Sequence, residues 1–259
     1  MKDLIESVVN SLDGKNTEMY PFIPYLLQDL WEMGSSSENV LNMLNKNDVP
    51  QKFSHLNIFD LGCGKGGISI PIVKKLNASV TGVDGMADFI ADAAAKSKEW
   101  GVENNCIFLH EDIRTAVKNY SDFNIIILGS IGNVLGDVKQ TLSILEKCLV
   151  PNGYILLDDA YIPDELKLES DNYLSETEFY NQIKQSNFDV IEIIKHSAES
   201  FVDENNQMFN KIKKRAGELR VFHPDKKHLF KFYLESQTNE NLLLEKSLQC
   251  FTVLLKKKN

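Results

Sequence analysis

The sequence has few of the features that mark disulfide frameworks, metal sites or membrane proteins. Four scattered cysteines show no C-x-x-C spacing and five histidines show no metal-ligand spacing, so we expect free thiols and no metal site. No apolar run reaches the ~18 residues that a membrane helix needs, and no apolar signal segment opens the chain. These absences make a reduced, cytoplasmic location the expectation.

Positive charge is also scarce. The 28 lysine and arginine residues are outnumbered by 37 aspartate and glutamate residues, which leaves a net charge of −9. Because neutralising phosphates requires a basic surface, we expect no nucleic-acid partner. The lack of a long apolar run likewise predicts no membrane partner. A hydrophobic content of 43% over 259 residues fits one large α/β domain with a small appendage.

What the sequence does contain is a glycine-rich stretch at residues 57–67. Apolar residues within 58–61 predict a short buried strand, and the glycines after it lead into an apolar helix. Gly62, Gly64 and Gly67 satisfy G-x-G-x-x-G, a pattern that a dinucleotide site would equally show. Asp60 stands two residues before the first glycine, where a dinucleotide fingerprint usually keeps an apolar residue.

From residue 56 onward, strand and helix patterns alternate, which predicts a parallel sheet. The predicted strands lie at residues 58–61, 78–83, 106–109, 123–128, 154–158, 188–194 and 247–255. Polar residues or glycines follow the first five of them. Open α/β sheets bind ligands beyond the carboxyl ends of their strands, so these positions form one candidate site.

The Asp-x-Gly-x-Gly signature at residues 60–64, with those strand-end residues in register, resembles the class I S-adenosylmethionine (SAM)-dependent methyltransferases of the small-molecule type. The resemblance covers residues 55–194 and 247–256. It implies an α/β fold with a Rossmann-like seven-stranded, mostly parallel sheet, an antiparallel last strand and helices on both faces. It also implies transfer of a methyl group from SAM to a small molecule by in-line displacement, leaving S-adenosyl-L-homocysteine (SAH).

On this basis we divide the chain into four segments. Residues 1–50 would form a helical N-terminal cover, and residues 51–199 the SAM-binding core. Residues 200–245 would form a helical insertion that walls the acceptor side, with residues 246–259 as the last strand.

The resemblance implies a role for each cofactor residue. The glycine loop would hold the methionyl group with Asp60 orienting that end, and Asp84 would accept both ribose hydroxyls. Asp112 would receive the adenine amino group. The predicted cofactor residues are Asp60, Gly62, Cys63, Gly64, Asp84, Gly85, Met86, Asp112, Ile113, Gly129 and Ser130. The alternative for Asp84 and Asp112 is a structural role in a turn or helix cap. The alternative for Met86 is packing in the core.

An aromatic segment near the N-terminus contains Tyr20, Tyr25 and Trp31, which we predict to be substrate or lid residues. Packing as a structural cover is an equal and compatible alternative.

The acceptor residues predicted are Asp159 and Tyr161, which follow the fifth strand. Strand alternation places them on one side, where a carboxylate would orient or deprotonate a nucleophile. The alternative is that Asp159 caps a turn and Tyr161 packs. The segment 129–133 lacks the Asn/Asp-Pro-Pro-Tyr signature, which disfavours a DNA base methyltransferase.

Two other functions stay open: an NAD(P)-dependent oxidoreductase with the same glycine pattern, and a non-catalytic SAM-binding protein. Asp60, Asp112 and the antiparallel last strand disfavour the oxidoreductase.

Overall fold

The computed structural model describes residues 2–168, 170 and 172–258. The predicted segments 1–50 and 246–259 therefore each include one terminal residue outside the described part, Met1 or Asn259. The predicted core segment 51–199 includes residues 169 and 171, which also lie outside it. The chain forms two compact units, which we call the helical unit and the sheet unit. The helical unit comprises Met1–Trp31 and His196–Cys250, and the sheet unit comprises Glu32–Lys195 and Phe251–Asn259.

Seven strands in the described part of the chain form one sheet. They are β1 (Leu56–Leu61), β2 (Ala78–Asp84), β3 (Cys106–His110), β4 (Phe123–Gly129), β5 (Leu149–Tyr161), β6 (Phe188–Lys195) and β7 (Gln249–Lys257). Their order is β3-β2-β1-β4-β5-β7-β6. β1 pairs in parallel with β2 and β4, and the pairs β2–β3 and β4–β5 are parallel too, whereas β6 and β7 are antiparallel. The predicted mostly parallel sheet with an antiparallel last strand is confirmed.

The α-helices precede β1 and then separate successive strands, so the predicted alternation of strands and helices is present. They are α1 (Lys2–Ser11), α2 (Ile23–Leu26), α3 (Ser37–Lys46), α4 (Ser69–Lys75), α5 (Ala87–Glu99), α6 (Ile113–Asn119), α7 (Val138–Leu145), α8 (Glu176–Lys184), α9 (Val202–Phe222) and α10 (Lys227–Lys246). No helix formed by the described residues is long and apolar enough to cross a membrane.

Helices cover both faces of the sheet, as predicted. Successive strand residues point to opposite faces. Phe59 belongs to a buried cluster with Ala116 of α6 and Leu142 of α7, whereas the adjacent Asp60 accepts a hydrogen bond from Ser69 of α4. The sheet is therefore buried on both sides, which explains why β4 reads as an almost continuous apolar run.

The helical unit contains α1, α2, α9 and α10. Its buried side chains include Ile23, Ile212 and Phe230, and the rings of Phe22 and Phe230 meet edge to face with centroids 5.1 Å apart. Pro224 lies between α9 and α10. Phe230, which lies in the segment predicted to wall the acceptor side, belongs to the core of this unit. The four-segment division itself stays a prediction.

Two local sequence signals in the sheet unit do not match the structure. Residues 35–38 have the S-x-x-E spacing of a capping box that begins at Ser35, but Ser36 caps α3 and accepts from the Asn39 N–H at 3.4 Å. Residues 151–153 have the proline, asparagine and glycine of a turn, but they lie inside β5, which begins at Leu149. A register shift opposite Phe123 and Ile125 absorbs the extra residues, as a β-bulge does.

Candidate cofactor site

The carboxyl ends of four parallel strands meet at one edge of the sheet. Asp84 at the end of β2 is in register with His110 of β3, and Gly129 at the end of β4 is in register with Asp158 of β5. The glycine loop continues from the end of β1, which lies between β2 and β4. The strand order reverses at β1, so the predicted residues lie at the position where such sheets bind ligands.

The glycine loop needs glycine for a backbone reason. Gly62, Gly64 and Gly66 have φ values of 73°, 52° and 75°, which side-chain-bearing residues rarely adopt. A Cβ at Gly62 would clash with Cγ2 of Ile131. Gly66, which the sequence motif did not single out, shares this left-handed conformation, and Gly67 does not.

Asp84 ties two backbone segments together. Its Oδ2 accepts from the Gly64 N–H at 2.9 Å, and its Oδ1 accepts from the Met86 N–H at 2.8 Å. Burial raises the pKa of Asp84, although both N–H donors oppose the shift. Each carboxylate oxygen has further lone pairs, so the side chain retains acceptor capacity for hydroxyl groups.

Asp60 is buried directly below the loop. The Ser69 hydroxyl donates to its Oδ2, and burial raises the pKa of Asp60 to about 7. Sequence reasoning missed Ser69, because nothing in a G-x-G-x-x-G pattern points to a serine nine positions after the aspartate. Cys63 is 7% exposed, and a Cβ at Gly82 would lie 2.9 Å from its Sγ. Its side chain therefore packs on β2, and burial raises the pKa of the thiol.

Asp112 caps α6 and forms an ion pair. Its Oδ1 accepts from the Arg114 N–H at 2.8 Å, and the Arg114 Nη2 lies 2.6 Å from Oδ2. The guanidinium holds the pKa of Asp112 below its usual value. Sequence reasoning missed Arg114, which engages the carboxylate predicted to receive adenine. Ile113 follows as the first residue of α6 and is buried.

The turn between β2 and α5 contains Gly85 and Met86. A ring nitrogen of His110 lies 3.1 Å from the Gly85 carbonyl oxygen. Met86 is fully buried, which fits the core-packing alternative.

Gly129 and Ser130 at the end of β4 lie against residues 34–35. A Cβ at Gly129 would lie 2.8 Å from Oγ of Ser35, and a Cβ at Gly34 would lie 3.0 Å from Oγ of Ser130. Ser130 has a φ of 55°, and its N–H donates to the Asp158 carbonyl at 2.9 Å. The backbone at the end of β4 is thus held in a fixed, uncommon conformation.

The two predicted acceptor residues have different environments. Asp159 lines a small cavity with Gly136 and residues of α7, and burial raises its pKa to about 6. Tyr161 is 1% exposed, its ring stacks on Phe251 at 5.3 Å, and its hydroxyl donates to Glu176 at 2.9 Å. These contacts support the packing alternative for Tyr161 over the predicted catalytic one.

The predicted lid residues Tyr20, Tyr25 and Trp31 belong to the helical unit. The Tyr25 hydroxyl donates to Glu218 Oε2 at 2.7 Å, and the Arg215 guanidinium carbon lies 5.7 Å from the centre of its ring. These contacts join α2 to α9, and the lid role stays a prediction.

Within the described ranges, no group of three histidine, cysteine, aspartate or glutamate side chains is placed to hold a metal ion. The four cysteines are free.

The strand order and the site at its reversal point define the class, which is the class I SAM-dependent methyltransferase fold. The chain belongs to the family of methyltransferase domains, whose family model matches residues 52–217.

Two solved structures with this fold are SAM-dependent methyltransferases in complex with SAH. The one from Geobacter sulfurreducens is 17% identical with a TM-score of 0.73, covering 91% of this chain and 97% of its own. The one from Thiobacillus denitrificans is 16% identical with a TM-score of 0.72, covering 92% and 98%. At these identities the likeness shows the fold alone.

Among curated relatives, a probable cobalt-precorrin-6B C(15)-methyltransferase (decarboxylating) from Methanobrevibacter smithii is 25% identical over 130 residues. The match covers 50% of this chain and 66% of that protein. A protein of the same description from Methanococcus maripaludis is 31% identical over 35% of this chain and 46% of its own length. The chain thus spans less than two thirds of these relatives.

The site residues fit a SAM-type cofactor. Left-handed glycines bring bare backbone to the edge of the sheet, and Asp84 offers a carboxylate at the tip of β2. The hydroxyl of Ser35 is buried at the end of β4 without a hydrogen-bond partner among the described residues. Backbone, carboxylate and free hydroxyl together suit a ligand with a charged amino-acid end and a ribose.

Proposed function

We propose that this protein is a methyltransferase that transfers a methyl group from SAM to a small-molecule acceptor. The observation that carries the proposal is the Asp84 carboxylate at the tip of β2, hydrogen-bonded to the glycine loop at the point where strand order reverses. Membership of the methyltransferase-domain family supports the proposal. SAM supplies the electrophilic methyl group, and SAH is the product.

In this proposal the chain's own residues mainly bind and orient. The loop residues Gly62–Gly64 approach the methionyl group, and Asp84 holds the ribose. Asp112 receives the adenine amino group with lone pairs that the Arg114 guanidinium does not occupy. Orientation of reactants can contribute ~7–11 kcal/mol to rate acceleration, so a methyl transfer needs little further chemistry from the protein.

Asp159 is the residue we propose to act on the acceptor. A carboxyl whose pKa burial raises to about 6 is mostly ionised at neutral pH and more basic than an ordinary carboxylate, which suits a general base. Its charge also favours a cationic or hydrogen-bond-donating acceptor, such as an amine or hydroxyl compound. The net charge of −9 supports an acceptor other than nucleic acid. The four free thiols support a reducing, cytoplasmic location.

A ligand panel tests the proposal. We expect SAM and SAH to bind with micromolar or tighter affinity in calorimetry and to raise the melting temperature, because a ligand that binds only the native state stabilises it. NAD⁺ and NADP⁺ should do neither. Binding of the nicotinamide cofactors in place of SAM would favour the oxidoreductase. Methyl transfer from radiolabelled SAM to a panel of small amines and alcohols then separates an enzyme from a binding protein.

A further inference from the structure

A short segment of the sheet unit, residues 33–35, lies against the carboxyl ends of two strands; we call it the 33–35 strap. A Cβ at Gly64 would lie 3.1 Å from Cε of Met33. By the same measure, Gly34 lies against Ser130 and Ser35 lies against Gly129, both at the end of β4. The strap therefore touches the glycine loop, which the proposed function assigns to the methionyl end of the cofactor, and the end of β4, the strand that pairs with β1 beside that loop.

The strap is held by the backbone conformation of its central residue and by a hydrogen bond between the residues that flank it. Gly34 has a φ of 105°, which glycine adopts readily and other residues rarely do. Ser37 and Glu32 flank the strap, and the Ser37 hydroxyl donates to Glu32 Oε1 at 2.7 Å. This bond closes the segment into a compact turn that leads into α3.

Three consecutive serines follow Gly34, and the structure explains two of them. Ser36 caps α3 through the Asn39 N–H, and Ser37 bonds to Glu32. Ser35 is 5% exposed, and its Oγ has no hydrogen-bond partner among the residues that the structure describes. An alanine would fill the same space without leaving a hydroxyl unpaired.

Buried polar groups in native proteins are almost always hydrogen-bonded, because an unpaired one loses its bonds to water without replacement. The unpaired Oγ of Ser35 lies where a Cβ of Gly129 would be 2.8 Å away, at the ligand-binding edge of the sheet. Rotation about the Cα–Cβ bond gives the serine hydroxyl three staggered positions, so it can turn towards a bound ligand. Because no described residue bonds this hydroxyl, we look for its partner in a ligand at this edge of the sheet.

We propose that Ser35 is a cofactor-positioning residue whose hydroxyl hydrogen-bonds the charged α-amino-acid end of SAM, with the 33–35 strap closing over that end. The inference rests on the proposed function, since it concerns the same site. A hydrogen bond to a charged group is stronger than one between neutral groups. Ser35 would thus select ligands that carry the amino-acid end.

The test compares two ligands on the full chain. SAH carries the amino-acid end, and 5′-methylthioadenosine is the same nucleoside thioether without it. For Ser35→Ala we expect the SAH affinity in calorimetry to fall about tenfold or more, with 5′-methylthioadenosine affinity within about twofold of wild type. Without ligand, this variant should melt at the wild-type temperature or above, since an unpaired buried hydroxyl has been removed.

Ser36→Ala is the matched control. It removes the neighbouring hydroxyl that caps α3, so the melting temperature should fall while the preference for SAH over 5′-methylthioadenosine is unchanged. Ser35→Cys keeps an unbranched side chain with one γ atom and weakens the donor, and it should show the same selective loss if the alanine variant folds poorly.

Three results would overturn the inference: unchanged SAH affinity in Ser35→Ala, equal loss for both ligands, or a lower melting temperature with unchanged ligand preference. Failure of the wild-type protein to bind SAH would instead overturn the proposed function, and the inference with it. The wild-type titration and the variant comparison therefore report on the two claims separately.

Discussion

The backbone N–H of Gly64 donates a hydrogen bond of 2.9 Å to Oδ2 of Asp84. This bond fastens the glycine loop to the tip of β2, so one carboxylate both shapes the loop and faces the proposed ribose position. The same carboxylate accepts from Met86 at the start of α5. Asp84 therefore also has the turn role that the sequence left open as an alternative, and variants at this position must be assessed for both stability and binding.

Replacing Asp84 with alanine should weaken SAM affinity about ten- to hundredfold, because bonds to a charged acceptor contribute roughly 1.5–3 kcal/mol. The ligand-free protein should also melt at a lower temperature, since the Gly64 and Met86 N–H groups lose their acceptor. Calorimetry and thermal unfolding measure the two effects. Asp137→Ala removes the cap of α7 and should lower stability by about 1 kcal/mol with SAM affinity unchanged. A SAM affinity of Asp84→Ala within twofold of wild type would contradict the ribose role.

Gly64→Ala tests whether the loop backbone meets the ligand. Gly64 and Gly101 both have left-handed backbones, with φ values of 52° and 66°, and a Cβ at Gly101 would meet nothing within 4 Å. Each alanine should therefore cost about 1–2 kcal/mol of stability. Only Gly64→Ala should also reduce SAH affinity, by about tenfold or more, because its methyl group occupies the approach to the loop. Equal SAH affinity in the two variants would make the loop a structural turn only.

The stability of the ligand-free protein should fall as pH rises from about 5 to about 7. Burial raises the pKa of Asp60 to about 7 and those of Asp13 and Asp159 to about 6, from 3.8. When the pH lies between 3.8 and these raised pKa values, the folded protein holds protons that the unfolded chain has lost, so raising the pH favours unfolding. Urea unfolding at several pH values measures this slope.

Asp60→Asn should make that slope shallower, since the amide does not titrate. Asp225→Asn, which changes an exposed carboxyl, should leave the slope unchanged. A wild-type protein whose stability increases steadily between pH 5 and 7 would show that these carboxyls are ionised in the folded state.

Asp159→Asn and Tyr161→Phe separate chemistry from packing at the end of β5. We expect Asp159→Asn to reduce turnover at saturating SAM by roughly a hundredfold without changing SAM affinity, the pattern of a group that acts on the second substrate. Tyr161→Phe removes a hydroxyl that bonds Glu176, so stability should fall by about 1 kcal/mol while turnover is retained. Turnover is measured with the acceptor that the small-molecule panel identifies. Wild-type turnover in Asp159→Asn would remove this residue from the mechanism.

Much of the sheet unit follows from local sequence patterns. The apolar run in β4 predicted a strand buried on both faces, and the end of β2 placed Asp84 at the ligand-binding edge. Gly101 follows the cap of α5, and Ser175 caps α8 at the start of an S-x-x-E spacing, as local helix signals indicate. These features depend on residues close together in the chain, through periodicity and capping, and the sequence carries them directly.

The sequence by itself therefore determined the class of sheet, which is mostly parallel with an antiparallel last strand. It also determined the glycine loop and the strand-end carboxylates of this protein. Only the tertiary structure decided that Ser69 bonds Asp60, that Tyr161 packs on Phe251, and that Ser35 lies against Gly129. The last two pairs join residues far apart in the chain, and all three depend on how helices and loops pack on the sheet. Periodicity identifies which face of a strand or helix is buried, but the partner across that face is set by the packing of the whole unit.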